Sequence, residues 1–259
     1  MSEKFQEQAL ILSQRELAPG IYSLWVQTEQ IADHAGPGQF LSVYCEDGSR
    51  LLPRPISICE IDRKKHALRL VYRIAGKGTE EFSRKKAGET LRVTGPLGNG
   101  YPLEEQKNTS AFLVGGGIGI PPLLELAKQL GCEKQIFLGY RDSNLFLLDE
   151  FMQQGNVYIA TEDGSIGTKG NVLDAIRANA LTADVIYSCG PTPMLRALKK
   201  YAQEDNIECW ISLEERMACG IGACLACICK STEVDTHTNV HNKRICKEGP
   251  VFNAQEVEL

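Results

Sequence analysis

The stretch SAFLVGGGIGIPPLLELAKQLG, residues 110–131, joins an apolar segment, a glycine-rich turn and an amphipathic segment. Its first part is typical of a buried strand, and Pro121 and Pro122 are placed to open a helix. The turn between them contains Gly115, Gly116, Gly117 and Gly119. Its spacing departs from the standard G-x-G-x-x-G, but it indicates a turn that lets a phosphate approach the carboxyl edge of a sheet. The stretch therefore predicts an α/β layer in the middle of the chain.

The same order of strand, turn and helix recurs further along. KQIFLGYR (134–141), NVYIATEDG (156–164) and ADVIYSCGP (183–191) each precede a helical pattern, and IECWISLEE (207–215) reads as the last strand. This alternation predicts a parallel sheet with helices on its faces. Cys189, Gly190 and Pro191 form a second turn at the crevice where open sheets bind ligands. A small buried residue is the alternative interpretation of Cys189.

The N-terminal part of the chain has a different pattern. From Gln8 to about Thr94, six short β-rich segments are interrupted by Gly, Pro or Asp, and only TEEFSRKK (79–86) has helical character. This pattern predicts a small antiparallel barrel. The expected fold class is therefore β plus α/β, with a barrel at 1–104, a parallel-sheet layer at 105–212 and a small C-terminal tail at 213–259.

Composition limits the function classes. The 259 residues are 43% hydrophobic, enough for a real core, and the formal net charge is -5. Without a block of Lys or Arg, the chain offers nucleic acid nothing to bind. The opening Met1–Leu10 mixes charged and polar residues, which excludes a signal or transit peptide, and no apolar run reaches the length of a membrane span. We expect a cytoplasmic protein with neither a membrane nor a nucleic acid as its partner.

Four cysteines fall within residues 218–230, ACGIGACLACICK. Reducing cytosol disfavours structural disulfides, so clustering indicates metal binding or catalysis. Cys219, Cys224 and Cys227 have the C-x4-C-x2-C spacing of plant-type [2Fe-2S] proteins, whose fourth ligand is distant in sequence. Cys246 is the expected fourth ligand, because residues 225–246 read as a strand, a polar loop and a returning strand. Cys229 is the rival ligand.

Two other uses of these thiols are possible. A structural zinc site prefers paired elbows on both halves, and here only one half has an elbow. A redox pair is less well supported, because CLAC does not lie between a strand and a helix. Gly220 and Gly222 favour the iron–sulfur hypothesis, since they allow tight turns and leave backbone N–H groups free to point at sulfur.

An iron–sulfur cluster passes single electrons, so it needs a converter, usually a flavin, to exchange them with a metabolic donor. RPIS (54–57) lies in the barrel, where alternation places Arg54 and Ile56 on one face and Pro55 and Ser57 on the other. A surface arginine on an edge strand is the alternative. GKGTEEF (76–82) offers glycines for close approach and Thr79 as a candidate N-cap, at a helix end that would suit a pyrophosphate. An ordinary strand-to-helix turn explains this segment equally well.

With RPIS, GKGT, VGGGIGIPPL, TEDGS, SCGPTPML and MACGIGAC in this order, the chain resembles the ferredoxin reductase superfamily. Within it, the chain is similar to the electron-transfer subunits of B-type, NAD-dependent dihydroorotate dehydrogenases. The resemblance implies an FAD-binding barrel, an NAD-binding layer and a [2Fe-2S] tail. The residues it assigns to FAD are Arg54, Pro55, Ile56, Ser57, Val71, Tyr72, Arg73, Gly78 and Thr79. Those it assigns to the nicotinamide nucleotide are Gly115, Gly116, Gly117, Gly119, Cys189, Gly190 and Pro191, and those it assigns to iron are Cys219, Cys224, Cys227 and Cys246.

The choice between NAD and NADP depends on TEDGS, residues 161–165. Glu162 and Asp163 would repel a 2′-phosphate or accept hydrogen bonds from the ribose hydroxyls, which favours NAD. Arg141, at another strand end, leaves NADP as the alternative.

The resemblance implies a function in de novo pyrimidine biosynthesis. The subunit would carry electrons between NAD and an FMN-containing subunit that oxidises dihydroorotate, in a heterotetramer of two plus two chains. This chain has no room for an FMN-binding (β/α)8 barrel, and hydride transfer requires no proton-shuttling side chain, so no catalytic residue is assigned. The alternatives are an NAD(P)H diaphorase subunit for a ferredoxin, hydrogenase or sulfur reductase, and a non-catalytic iron–sulfur redox sensor.

Overall fold

The computed structural model describes residues 3–103, 110–234 and 239–259. It confirms the predicted β plus α/β architecture: a closed antiparallel barrel is followed by a largely parallel sheet with helices, and a short tail completes the chain. The expected boundary between residues 104 and 105 lies outside the described residues.

The barrel has six strands in the order β1-β2-β5-β4-β3-β6. They are β1 (Phe5–Ala18), β2 (Ile21–Gln27), β3 (Phe40–Val43), β4 (Arg54–Asp62), β5 (Ala67–Arg73) and β6 (Thr90–Leu97), with short helices α1 (Ile31–His34) and α2 (Lys77–Ser83) between strands. Inward-facing apolar side chains such as Ile11, Leu24 and Val93 fill the interior. Alternation of inward and outward residues thus closes the barrel around its own core.

The layer begins with β7 (Ser110–Gly116), α3 (Pro122–Gln129), β8 (Glu133–Tyr140), α4 (Leu148–Met152) and β9 (Asn156–Thr161). It continues with β10 (Thr168–Lys169), α5 (Val172–Asn179), β11 (Val185–Cys189), α6 (Thr192–Glu204) and β12 (Glu208–Ser212). These strands pair in parallel, as the alternating pattern predicts. Within the described ranges, no helix combines the length and the apolar composition needed to cross a membrane.

The tail forms an antiparallel hairpin of β13 (Ile228–Lys230) and β14 (Asn242–Arg244), which confirms the predicted return of the chain. It then adds β15 (Val251–Asn253) to the sheet, antiparallel to β12, giving the order β10-β9-β8-β7-β11-β12-β15. β15 was not predicted from the sequence. Phe252, at its centre, is buried in the core of the layer, so the tail is anchored to the sheet.

A buried ionic network joins the barrel to the layer. The guanidinium of Arg69 on β5 is 4% exposed and contacts the carboxylate of Glu60 on β4. Lys128 on α3 contacts the same carboxylate, and Glu150 on α4 lies 3.4 Å from Arg69. Charges removed from water are tolerated when they are paired in this way. The network therefore fixes how the barrel sits against helices of the layer.

Candidate functional site

A cleft of about 480 Å³ opens between the barrel and the layer. The predicted flavin residues on its wall are Arg54, Pro55, Ile56, Ser57, Val71, Tyr72, Arg73 and Thr79. The register explains the opening, because β4 pairs with β5 from Ile58 to Asp62, whereas residues 54–57 pair with β3. The barrel wall therefore splits beside residues 54–57. This is why all four residues border the cleft although alternation assigns them to two faces.

Gly78 does not border the cleft itself but packs against Arg54, which does. A Cβ atom at residue 78 would lie 2.5 Å from Arg54 Nε and 2.8 Å from its Cζ, closer than side-chain atoms approach one another. Glycine thus allows the first turn of α2 to pack against the guanidinium. The close packing holds Arg54 at the edge of the cleft.

Thr79 is buried, but the prediction that it caps α2 is wrong. The helix begins at Lys77, so Thr79 is already in its first turn. Its hydroxyl accepts hydrogen bonds from the backbone N–H groups of Ala75 at 2.9 Å and Gly76 at 3.3 Å. Thr79 therefore stabilises the turn that precedes α2, although it lies in the helix itself.

The opposite wall of the cleft was not predicted. It consists of Ile118, Pro250 and the segment from Ser212 to Met217, while Phe40 on β3 completes the barrel side. That segment follows β12, whose carboxyl end meets the sheet edge where ligands of open α/β sheets bind. The position of IECWISLEE as the last strand was the available indication.

Glu214 on this wall faces the water of the cleft, yet surrounding protein atoms partly desolvate it. This desolvation raises the pKa of the Glu214 carboxyl above its ordinary value, and the charge of Arg73 opposes the shift. Because the folded chain holds this proton more tightly than the unfolded chain, the stabilisation is present at low pH and is lost as pH rises through the folded pKa.

Replacing Glu214 with glutamine is therefore expected to make the protein more stable than the wild type at pH 8, and the difference should shrink as pH falls toward 5. Thermal unfolding of both proteins at several pH values measures this, with Glu215→Gln as the matched control. A stability difference that does not change with pH would contradict the prediction.

The two predicted nucleotide turns lie side by side at the carboxyl ends of β7 and β11, where Gly115 pairs with Cys189. A Cβ atom at Gly119 would lie 2.4 Å from the carbonyl oxygen of Cys189, so only glycine allows the two turns to come this close. The Cys189 thiol is 1% exposed, and burial raises its pKa. The site therefore presents the backbone of the turns, not the thiol.

Glu162 and Asp163 follow β9 at the same edge, but β8 separates them from the Gly115 turn. Both are exposed. The Asp163 carboxylate accepts a hydrogen bond from Ser165 N at 2.9 Å, and interactions with Ser165 lower the pKa of Asp163. The structure thus places these acids two strands away from the turns, not in contact with them.

The cysteine loop carries backbone N–H groups directed at sulfur. Ile221 N and Ala223 N donate to Cys219 Sγ at 3.5 and 3.3 Å. Gly222 N donates to Cys246 Sγ at 3.1 Å, and Cys246 N donates to Cys227 Sγ at 3.4 Å. Cys219 N donates to Cys224 Sγ at 3.5 Å, so hydrogen bonds link all four predicted ligands to one loop.

The thiols of this loop differ in acidity. Although burial opposes the shift, the N–H groups of Ile221 and Ala223 and the side chain of Cys224 lower the pKa of Cys219 to about 6. Burial, with Cys227 beside it, raises the pKa of Cys246 to about 12. A metal bound by both would therefore displace a proton from Cys246.

The rival ligand Cys229 points elsewhere. Its Sγ lies 3.5 Å from the carbonyl oxygen of Lys243 on β14, and it packs against the core of the layer. Burial raises the pKa of this thiol to about 11. The structure thus joins Cys246, not Cys229, to the loop of Cys219.

The donor chemistry of the loop fits an iron–sulfur cluster: four sulfurs, glycines at positive φ (Gly220 +69°, Gly222 +86°) and N–H groups facing sulfur. In the described part of the chain, no group of three or more His, Cys, Asp or Glu side chains converges closely enough to hold a metal ion. The four thiols therefore share a hydrogen-bonded loop without forming a closed coordination shell. All ten cysteines are free, so no disulfide competes for them.

Comparisons with known proteins identify the tail and the whole fold. Residues 214–258 match the family model of the iron-sulfur cluster binding domain of dihydroorotate dehydrogenase B. The solved structure of an NADH-dependent reduced ferredoxin-NADP oxidoreductase, described for flavin-based electron bifurcation, superposes with a TM-score of 0.87. The two chains are 30% identical over 97% of this chain and 90% of that one.

Curated relatives are more similar in sequence. The electron transfer subunit of dihydroorotate dehydrogenase B (NAD(+)) from Geobacillus sp. (strain WCH70) is 45% identical over 98% of this chain and 99% of its own length. The corresponding subunit of Enterococcus faecalis (strain ATCC 47077 / OG1RF) is 45% identical over 99% of this chain and its full length. Similarity at this level over whole chains shows that the chain belongs to the family of dihydroorotate dehydrogenase B electron transfer subunits.

Proposed function

We propose that this chain is an oxidoreductase subunit that carries electrons between an iron–sulfur cluster and NAD through FAD, as part of a dihydroorotate dehydrogenase in pyrimidine biosynthesis. One observation carries the proposal. The cleft between barrel and layer is bordered by Ile118, in the nucleotide turn, and by Met217, two residues before Cys219. A single cavity therefore adjoins both places where electrons would enter and leave.

FAD fits this cleft by its chemistry. Arg54, fixed against Gly78, offers a guanidinium suited to a pyrophosphate. Ser57, Val71, Tyr72 and Arg73 offer polar and apolar surface for the ring system. When bound, FAD would accept or donate two electrons as a hydride on one side and single electrons on the other. The residues of the chain bind and orient the cofactor, and no side chain is assigned to proton transfer.

The nicotinamide nucleotide is assigned to the edge formed by the turns at residues 115–119 and 189–191. Their close packing places the two turns beside the start of α6, and the N-terminal end of a helix is a favourable setting for phosphate. Glu162 and Asp163, further along this edge, favour NAD over NADP because their charges repel a 2′-phosphate. The iron ligands are assigned to Cys219, Cys224, Cys227 and Cys246.

The partner is proposed to be an FMN-containing subunit that oxidises dihydroorotate, in a cytoplasmic heterotetramer of two plus two chains. The tail supports a docking surface, because it exposes a set of large apolar side chains: Ile221, Leu225, Ile228, Val234 and Val240. Several exposed large apolar side chains in one short segment are typical of protein interfaces. The division into a flavin unit (1–104), a nucleotide unit (105–212) and a cluster unit (213–259) follows from these assignments.

Replacing Arg54 with methionine is expected to weaken FAD binding about 30-fold, since a lost charge-assisted hydrogen bond costs roughly 2 kcal/mol. Titration of the flavin-free protein with FAD, followed by fluorescence, measures the change. Replacing Arg15, a barrel arginine that does not border the cleft, controls for the lost charge. Equal FAD affinity in the Arg54 variant and the wild type would contradict the assignment.

The function itself is tested on the protein purified anaerobically with its co-purifying partner. NADH should bleach flavin bands and then reduce an iron–sulfur absorbance, NADPH should act more weakly, and the partner should contain FMN and oxidise dihydroorotate. A different redox partner would favour the diaphorase hypothesis, to which the ferredoxin-linked structural relative lends support. Bound flavin that NADH does not reduce would favour a redox sensor, and a colourless zinc protein would exclude all three.

The docking surface has its own test. Ile228→Glu should weaken partner binding at least about tenfold, since it places a charge in an apolar contact, while flavin and iron contents stay at wild-type levels. Met152→Glu is the matched control, because Met152 is also exposed but lies in α4, whose Phe151 packs in a different core cluster from Cys227 and Ile245 of the tail. Equal partner affinity in both variants would exclude this surface.

A further inference from the structure

The tail that carries Cys246 is attached to the barrel as well as to the sheet. Immediately after β6, Asn99 N donates a hydrogen bond to Gly249 O at 2.6 Å. The side-chain amide Nδ2 of Asn99 donates to Glu248 O at 2.9 Å and to Lys247 O at 3.2 Å. One residue of the barrel thus binds three successive carbonyl groups just beyond Cys246.

The surrounding contacts leave this attachment little freedom. A Cβ atom at Gly98 would lie 2.4 Å from Pro250 Cδ, and one at Gly220 would lie 2.8 Å from Ser42 Oγ on β3. The tail therefore touches the barrel within the cysteine loop, at Gly220, and again beyond Cys246, at Pro250. Pro250, directly after the bound carbonyls, borders the cleft assigned to FAD.

Asn99 itself is exposed and does not border that cleft. Its amide can satisfy two carbonyl groups only with its nitrogen toward them, so the orientation of the side chain follows from its partners. The two side-chain hydrogen bonds bind the carbonyl groups of Lys247 and Glu248, which lie in the loop between Cys246 and Pro250 and would otherwise face solvent. Asn99 is therefore suited to fix this segment without taking part in chemistry.

We propose that Asn99 is a positioning residue that holds the Cys246 segment against the flavin barrel and so sets the separation across which single electrons pass. The inference rests on the proposed function for its consequence, but the attachment itself is a property of the protein fold. Residues that orient a metal ligand from outside its shell typically change activity about 10- to 100-fold when they are replaced.

The test uses the cofactor-loaded protein with the variants Asn99→Ala and Asn99→Asp. Aspartate keeps the side-chain shape of asparagine, but its carboxylate cannot donate hydrogen bonds to the two carbonyl oxygens. Asn179→Ala is the matched control, since Asn179 donates one side-chain hydrogen bond to Ala175 O at 2.8 Å within α5. In stopped-flow experiments, flavin reduction by NADH should stay within about twofold of the wild type, while subsequent cluster reduction slows about tenfold or more. Amide hydrogen exchange across residues 244–250 should rise in both Asn99 variants and not in the control.

Wild-type rates of cluster reduction in both Asn99 variants would overturn the proposal, as would an equal slowing of flavin reduction or loss of iron from both variants. Unchanged amide exchange would overturn the attachment on which it depends. If NADH fails to reduce the cluster of the wild-type protein, the proposed function fails instead, and the exchange measurement still decides whether Asn99 holds the tail.

Discussion

Replacing Cys246 with serine should abolish cluster assembly, leaving less than about a tenth of the wild-type iron and sulfide while FAD content is retained. Cys246 Sγ accepts the N–H of Gly222, and its own N–H donates to Cys227 Sγ, so it closes the loop formed by the other three thiols. A serine hydroxyl is a poor replacement for thiolate at iron. Electron delivery to the partner should therefore be lost, whereas NADH-driven reduction of a small dye through the flavin should persist.

The matched control for this experiment is Cys229→Ser. Cys229 lies two residues beyond Cys227, but its thiol contacts Lys243 O on the neighbouring strand. The control should keep the iron, the sulfide and the visible spectrum of the wild type. Loss of iron from the Cys229 variant, with iron retained in the Cys246 variant, would show that Cys229 and not Cys246 is the fourth iron ligand.

Replacing Arg69 with methionine should destabilise the protein by about 3–5 kcal/mol, because it leaves the buried carboxylate of Glu60 with Lys128 as its remaining cation. The substitution also removes the 2.8 Å hydrogen bond from Arg69 Nε to Ser23 Oγ. For a chain of this size, the loss corresponds to a fall in Tm of about 10 °C. Thermal unfolding of the cofactor-loaded protein measures it.

The control is Arg84→Met, which removes an exposed ion pair with Glu80 on the helix surface. Such pairs contribute less than about 1 kcal/mol. The double variant Glu60→Met with Arg69→Met should regain part of the lost stability, because the buried carboxylate that lost its guanidinium partner is then removed as well. Equal effects of Arg69→Met and Arg84→Met would show that the network does not stabilise the contact between barrel and layer.

Local pattern was sufficient to predict most strands and helices and their grouping, although it missed the short helix α1 and the edge strand β15. Alternation in the first hundred residues indicated a barrel, and repeated strand, turn and helix indicated a parallel sheet, because each depends on neighbours in sequence. The cysteine spacing likewise indicated an iron–sulfur loop, and the hairpin that returns Cys246 was predictable from its two short strands. The N-cap prediction for Thr79 failed because cap geometry depends on where the helix actually begins.

Contacts between distant segments were beyond the reach of the sequence. The wall formed by Ser212–Met217, the edge strand β15 and the Asn99 attachment all join residues far apart in the chain, and no local pattern records such pairing. The sequence by itself predicted which chemistry the chain would carry: thiols for iron, glycine turns for phosphate and an arginine for a pyrophosphate. Only the tertiary structure decided that Arg54, Ile118 in the glycine turn and Met217 beside the cysteine loop border one cleft, because strand divergence in the barrel and packing of the tail against it create that cleft.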